Sequence, residues 1–512
     1  MPAKEYQELC ALWREASTLN SVGSLLGWDQ ETYMPDRAAP ARAEQSALIA
    51  RLTHERRTSP RVGDLLAACE SDKSLDENAR ANVREMRRDY DHATKLPADL
   101  VAELAKTASE SQQVWKEARQ KSDFAMFRPA LEKMMTLSRR KAECYGVRGG
   151  GELYDALMEE YEPGANAREI EAILTPLRAE LAGLIRAVGE KTGKRGKGAV
   201  KIDTRCLGER IEPAAQHEFG QRVLKAMGFE LDAGRLDTTT HPFCSGIAPG
   251  DTRLTTRYRD ERFTDALYGT MHEGGHGLYE QGLPKESKDG ASGTPLAEAV
   301  SLGIHESQSR MWENFVGRSR DFWKWALPLL RKHVGKKFAK YDVDQFYAAT
   351  NTVTPSLIRV EADEGTYNMH VMIRFEIERA LINGAVAPRN VPELWNQKYK
   401  EYLGVDVPDD RRGCLQDVHW SFGLVGYFPT YTLGNLYAAQ LWETILKDMP
   451  DLPKRIAKGD MVPLRDWLRT KIHRHGRKYR ASELCERVTG RPVESGPLLR
   501  HLRAKAEAVY GV

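Results

Sequence analysis

Long apolar runs are missing from this chain of 512 residues, and so is any strong excess of one charge. No stretch is long and uncharged enough to cross a bilayer as a helix. The first residues, Met1-Pro2-Ala3-Lys4-Glu5-Tyr6-Gln7, lack the apolar centre of a secretory signal. The net charge of +3 comes from basic and acidic residues interleaved almost everywhere, which excludes an extended grip on nucleic acid. One basic cluster among glycines, Lys191, Lys194, Arg195, Lys197 and Lys201, reads as a solvated loop. Cysteine is scarce. The seven, Cys10, Cys69, Cys144, Cys206, Cys244, Cys414 and Cys485, are scattered, odd in number and free of any C-x-x-C pair. That usage suits reduced thiols, so the expectation is a cytoplasmic protein with no membrane and no nucleic-acid partner. Internal repeats and low-complexity segments are absent too.

What is present is helical periodicity. Residues 5 to about 145 read as long amphipathic helices, with Leu9, Leu12, Leu19, Val22, Leu25 and Leu26 spaced by three or four. Breaks fall at Met34-Pro35-Asp36, Ser59-Pro60 and Leu96-Pro97, the three glycines Gly149 to Gly151 make a hinge or tight turn, and a further helix runs from Ala167 to about Val188. Near residue 200 the character changes. Val200-Lys201-Ile202-Asp203, Arg235 to Thr240 and Asp251 to Tyr258 alternate and are rich in threonine, as short strands are. His241-Pro242-Phe243-Cys244-Ser245-Gly246 between the last two reads as a turn, which predicts a small antiparallel hairpin whose edge could hold a peptide by strand addition. From about residue 294 onward the pattern is helical again, with breaks at Pro355, Pro388, Pro408 and Pro429.

Just after the hairpin lies Met271-His272-Glu273-Gly274-Gly275-His276-Gly277. Histidines four apart on a helix share one face, so both imidazoles can reach one ion, and the intervening Glu273 can take a proton from water on that ion. This is the H-E-x-x-H arrangement of a zinc peptidase. Phe263, Leu267 and Met271 supply the helix with an apolar flank. Each glycine inside the motif costs it about 1 kcal/mol relative to alanine. Either close packing against another helix or room for substrate or metal would offset that.

Such a centre needs a third ligand. Gly282 stands where a histidine six residues on would be required, which excludes the metzincin arrangement. Glu280 is on the helix of the histidines and approaches from the wrong side. A carboxylate from a second helix would close the tripod and leave a fourth position for water. Thr294-Pro295 has the signature of a helix start, and Glu298, Glu306 and Glu313 follow it.

His305-Glu306-Ser307-Gln308 resembles the second signature of the M32 metallocarboxypeptidases, the thermostable carboxypeptidase Taq family. Further landmarks follow in that family's order: His241-Pro242-Phe243, Asp251-Thr252-Arg253-Leu254-Thr255, Ile358-Arg359-Val360-Glu361-Ala362-Asp363, and Gly413-Cys414-Leu415-Gln416-Asp417-Val418-His419-Trp420. Trp28-Asp29 to Met34-Pro35 and Tyr161-Glu162-Pro163-Gly164 match as well, so the resemblance runs from about residue 25 to the C-terminus.

The resemblance implies a mainly α, multi-helix peptidase fold with a deep substrate groove. It also implies one metallopeptidase domain over 1–512, two-lobed, with 1–200 as a helical cover and 201–512 carrying the metal site and groove. It implies one divalent metal per chain, zinc or alternatively cobalt, peptide substrates and a homodimer. Glu306 becomes the third ligand beside His272 and His276, with Glu298 as its alternative. His305, about 100° further round the helix, cannot face the same ion. A zinc so held would make its water acidic and polarise the scissile carbonyl, with Glu273 as general base. His419 and Tyr431, or Tyr427, are the candidates for stabilising the tetrahedral oxygen. Arg359 is the candidate for gripping the free carboxylate. Arg253 is a second candidate, or a structural ion pair. Gln416 either touches substrate or, with Asp417, orients His419 or a metal ligand.

Two other readings stand beside the carboxypeptidase: an oligoendopeptidase of neurolysin type, and a non-catalytic helical binding protein. His473-Arg474-His475, His370 and the aromatic run Trp312, Phe315, Phe322, Trp323 and Trp325 read as core.

Overall fold

Burying the apolar face of a helix needs another helix or a sheet, and this chain supplies mostly helices, with one small sheet beside the His-Glu motif. The computed structural model describes residues 4–147, 149–193, 199–285 and 291–512. The basic residues Lys194, Arg195 and Lys197 lie outside the described residues, as does much of the polar loop after Lys285.

Contacts divide the chain into two compact units. The first joins the stretch up to Thr94 to Asp203–Thr350 and Leu441–Pro492; the second joins Lys95–Ile202, Asn351–Gln440 and Val493–Val512. Residues 1–200 are therefore shared between the two.

In the first unit, the paired helices α1 (Lys4–Thr32) and α2 (Ala39–Arg57) accompany α3 (Pro213–Met227), α4 (Phe263–Gly282) and α5 (Leu302–Arg310). Three strands, β1 (Gly234–Thr238), β2 (Cys244–Ala248) and β3 (Asp251–Thr256), form a sheet in the order β1-β3-β2. The expected hairpin is present with different partners. β2 and β3 run antiparallel across a tight turn, with Cys244 opposite Leu254, while β1 lies parallel to β3 with Leu236 opposite Leu254. Strand β2 thus begins inside the segment read as a turn, and Val200 to Asp203 is not a strand. Pro242 lies two residues before β2, where its missing N–H does not interrupt a ladder.

The expected helix start at Thr294-Pro295 is a single 3₁₀ turn, Pro295–Ala297. The helix proper, α5, starts at Leu302, where Ser301 caps it by accepting a hydrogen bond from the Ile304 amide at 3.0 Å. It then widens into a π turn over Met311–Gly317. The aromatic residues Trp312, Phe315, Phe322 and Trp323 are buried here, Trp323 stacking on Phe346 at 4.4 Å, and they serve as core.

In the second unit the centre is α6 (Glu364–Ile382), buried on nearly every side. Asp363, last of the Ile-Arg-Val-Glu-Ala-Asp stretch, is its N-cap and accepts from the Thr366 amide at 3.0 Å. Among the described residues no helix is long and apolar enough to cross a membrane.

Candidate metal centre

Helix α4 is pinned by what its glycines omit. A side-chain carbon on Gly275 would fall 2.6 Å from the carbonyl oxygen of Gln308 and 2.7 Å from the Cα of Ser309, so α4 and α5 meet backbone to backbone there. Gly274 is filled on the other side by Leu224 and Met227 of α3, and Gly277 by Leu254 of β3. The helix-weakening glycines are thus offset by close packing, and the contact at Gly275 is what brings α5 within reach of the histidines.

At that crossing Glu306 Oε2 lies 3.5 Å from His272 Nε2 and 3.5 Å from His276 Nε2. The two rings stand edge to face with centroids 4.9 Å apart. One donor atom from each of His272, His276 and Glu306 lies within 4.8 Å of the others, a spacing one divalent cation can bridge. Glu298, the alternative ligand, sits before α5 and pairs with Arg477 at 2.9 Å. Glu313, on the π turn, accepts from His272 Nδ1 at 3.0 Å and so orients that ring, while Arg310 and Arg318 hold it in turn. Arg310 Nε also donates to Glu306 Oε1 at 2.6 Å, while Oε2, which faces the histidines, accepts from Ser309 Oγ at 2.8 Å.

The electrostatics suit a cation at this point. Burial opposes charge on His272, but Glu306 and the hydrogen bond to Glu313 outweigh it and raise the ring to about 9. His276 goes the other way, to about 3, through burial and the neighbouring His305. Burial costs Glu306 some acidity, yet Arg310 and His272 hold it well below the usual carboxylate range. Two imidazoles and one ionised carboxylate form a donor set that suits a catalytic divalent metal. Glu273 is buried beside it. Among the described residues none donates a hydrogen bond to its carboxylate, and burial, the largest influence, raises it to about 7.

Arg253 makes two 2.8 Å bonds to Asp251 and lies 4.2 Å over the Trp28 ring, the geometry of the ion-pair reading. His473 is buried and bonded to Gln308 at 2.9 Å, a core histidine.

The remaining sequence candidates lie in the second unit. Arg359 is buried; its Nε and Nη2 both reach Asp417 Oδ1, at 3.1 and 2.9 Å, and its Nη1 reaches the Tyr367 hydroxyl at 3.1 Å. Three of a guanidinium's five N–H groups are so used, which leaves one on each terminal nitrogen. Tyr431 lies under it, 5.0 Å from its ring centroid. Asp417 Oδ2 takes Arg374 Nε at 2.6 Å. Gln416 Oε1 accepts from the Arg359 amide and from Arg374 Nη2. Neither Gln416 nor Asp417 hydrogen-bonds His419, so the expectation that they orient it is corrected: they hold the two arginines. His419 packs on Phe428 at 4.5 Å and beside Tyr427 at 5.5 Å, its Nδ1 has no partner among the described residues, and burial lowers it to about 4, so it is neutral at pH 7. Tyr427 also meets Tyr161 edge-on at 5.2 Å. His370 is bonded to Tyr399 in the core.

Glu378 was not singled out in the sequence, and nothing local marks it. It accepts from Tyr154 Oη at 2.7 Å, Trp420 Nε1 at 2.8 Å and the Gly426 amide at 3.1 Å, and so ties both ends of the segment after His419 to α6. Gly426 has φ +90°, and a side chain there would strike the backbone of Met158. Burial raises Glu378 to about 7 in spite of these donors. An unfolded glutamate titrates near ~4.3, so between those values the folded chain holds a proton that the unfolded chain has released, and stability falls as pH rises. Glu378→Gln has no such proton. Its unfolding free energy relative to the parent should therefore climb between about pH 4.5 and 7, by at most about 1.4 kcal/mol per unit. Parallel stability curves for the two proteins would show the assignment to be mistaken.

Donors converging on one cation beside an unbonded buried carboxylate are the equipment of a metal-dependent hydrolase. Comparison with known proteins makes this narrower. The family profile described as carboxypeptidase Taq (M32) metallopeptidase matches residues 8–506, and the chain belongs to that family. It is 45% identical to thermostable carboxypeptidase 1 of Thermus thermophilus over the whole of both chains, and 34% identical to carboxypeptidase 1 of Bacillus subtilis over 98% of each. Its fold is similar to the crystal structure of an M32 carboxypeptidase from Deinococcus radiodurans, with a TM-score of 0.94, 40% identity and complete coverage of both chains. The protein is thus a metallocarboxypeptidase that requires a divalent metal, and neither the oligoendopeptidase nor the non-catalytic reading is supported.

Proposed function

We propose that this carboxypeptidase releases C-terminal residues from peptides with broad side-chain tolerance, using zinc at His272, His276 and Glu306. The observation that carries the reading is the meeting of those three donors beside Glu273, whose carboxylate no protein donor occupies among the described residues. Two histidines and a glutamate are a set used for catalytic zinc, and cobalt accepts the same ligands. A cation held there would supply Lewis acidity toward the scissile carbonyl and the attacking water.

The protein's own groups do the rest. Glu273 takes the proton from the attacking water on its carboxylate and passes it to the leaving nitrogen. Arg359, braced by Asp417 and Tyr367, offers its two remaining N–H groups to the substrate's terminal carboxylate as a fork. Neutral His419 and the hydroxyl of Tyr431, or of Tyr427, donate to the developing oxyanion. Tyr431 is favoured because it shares its surroundings with Arg359. Arg253 and Gln416 shape substrate contacts indirectly, through Trp28 and Arg359. The unpaired cysteines support a cytoplasmic location, and the family resemblance supports a homodimer.

The test is a peptide with a free C-terminus against its C-terminal amide, with chelator, and with zinc or cobalt restored. Stepwise loss from the free peptide alone, abolished by chelator and restored by either metal, is expected. Equal cleavage of the amide would count against the role of Arg359 and the exopeptidase reading.

A further inference from the structure

Helix geometry keeps His305 from facing the ion, and the structure shows what it does instead. Its Nδ1 lies 2.5 Å from Nδ1 of His276, and its Nε2 lies 2.9 Å from Oε1 of Glu280. The His276 and His305 rings are 4.5 Å apart, and Tyr279 closes the far side of His305 at 5.2 Å. Glu280 is fixed from two sides. Lys285 pairs with its Oε2, and it occupies the space that a side chain on Gly246 of β2 would need.

Two imidazole nitrogens can share a hydrogen bond only if one carries the hydrogen and the other is bare. If His276 gives the lone pair of Nε2 to a metal, its hydrogen must be on Nδ1. Then His305 Nδ1 must accept, His305 must carry its own hydrogen on Nε2, and that hydrogen can only point to Glu280. Each link fixes the next. His272 has a simpler arrangement, since Glu313 accepts from its Nδ1 directly.

We propose that His305 is a positioning residue for the metal, a one-imidazole relay through which the Glu280 carboxylate fixes the tautomer and orientation of His276 and strengthens it as a ligand. Glu280, read from the sequence as lying on the wrong side to bind the ion, acts from that side through a second ring. The relay rests on the assignment of His272, His276 and Glu306 as the metal site.

Metal affinity, measured by competition with a chromophoric chelator on the full-length chain, tests the relay together with the visible spectrum of the cobalt form and the melting temperature of the metal-free form. Partners of a metal-binding histidine typically contribute 10–100-fold to affinity. His305→Phe keeps a ring but neither accepts nor donates, so it should weaken zinc binding by about that factor and shift the cobalt bands. His305→Gln can accept from His276 through its carbonyl and donate to Glu280 through its amide, so it should recover most of the affinity. Glu280→Gln should weaken binding in the parent but add nothing in the His305→Phe background, where the relay is already cut.

Unchanged affinity and an unchanged cobalt spectrum in His305→Phe would overturn the inference while leaving the metal site intact. Equal losses in the Phe and Gln variants, matched by equal falls in metal-free stability, would reduce His305 to packing and overturn it as well. If the parent chain binds neither zinc nor cobalt, the metal site and the relay fall together.

Discussion

Glu273→Gln is expected to retain the metal and lose about 10²–10⁴-fold in kcat, the range that a positioned general base contributes. The amide has the size of the carboxylate, and among the described residues no protein donor bonds to Glu273, so the exchange breaks no hydrogen bond. KM should therefore change little. The loss belongs to a step made only in the transition state, which lowers kcat and kcat/KM together.

The same exchange should raise the stability of the metal-free protein above neutral pH. Burial, outweighing the neighbouring His272 and reinforced by Glu306 as a like charge, holds Glu273 up to about 7, so ionising it in the folded chain is unfavourable. Between an unfolded value near ~4.3 and the folded one, the parent loses stability as pH rises, and the glutamine variant does not. Falling activity with equal or higher melting temperature at pH 8, at parental metal content, is the expected combination. Turnover close to that of the parent in the fully loaded variant would rule out Glu273 as the base.

What could be read from the sequence follows the range of the interaction. The His272 and His276 pair is legible because a four-residue spacing is a property of the helix itself, and the Phe263 flank shows the helix is there. Glu306 is different. Spacing left it level with Glu298 and Glu313, and only the family resemblance singled it out, because the deciding contact is the backbone approach at Gly275, which no local pattern announces. The glycines could be read as weakness in the helix but not as the point where α5 touches it. The sheet was misregistered for a comparable reason. Pro242 and Gly246 carry turn chemistry, yet Gly246 is extended in β2 and is small because Glu280 lies against it. Glu313 and Arg310 had a faint signal, at seven and four residues beyond Glu306, in keeping with neighbours along one helical face. Glu378 had none, since its three donors come from 42 to 224 residues away.

Asp417→Ala should destabilise the protein by about 3–5 kcal/mol, because it strips the shared counter-charge from two buried guanidinium groups. Arg374 is fully buried and Arg359 nearly so, and each carboxylate oxygen of Asp417 serves one of them. Burial alone would raise Asp417, but Arg359 and Arg374 hold it far below the ordinary range. The folded value is the depressed one, so this stabilisation is complete above the unfolded value of ~3.9 and is lost only as pH falls below it. The deficit of Asp417→Asn should accordingly be constant from pH 8 to about 5 and shrink in stronger acid. The two arginines should then respond differently. Arg374 keeps the His370 carbonyl, the Tyr399 hydroxyl, Gln416 and the face of Trp395 at 4.5 Å, whereas the Arg359 guanidinium keeps the Tyr367 hydroxyl and the rings of Phe428 and Tyr431. Arg359 is thus the one released, and if it grips the chain end, Asp417→Asn should raise KM for free peptides well before it lowers kcat. Combining Asp417→Ala with Arg374→Met removes one of the orphaned charges and should recover part of the lost stability without recovering KM. Full recovery of both would mean that Asp417 serves Arg374 alone and that Arg359 does not depend on it.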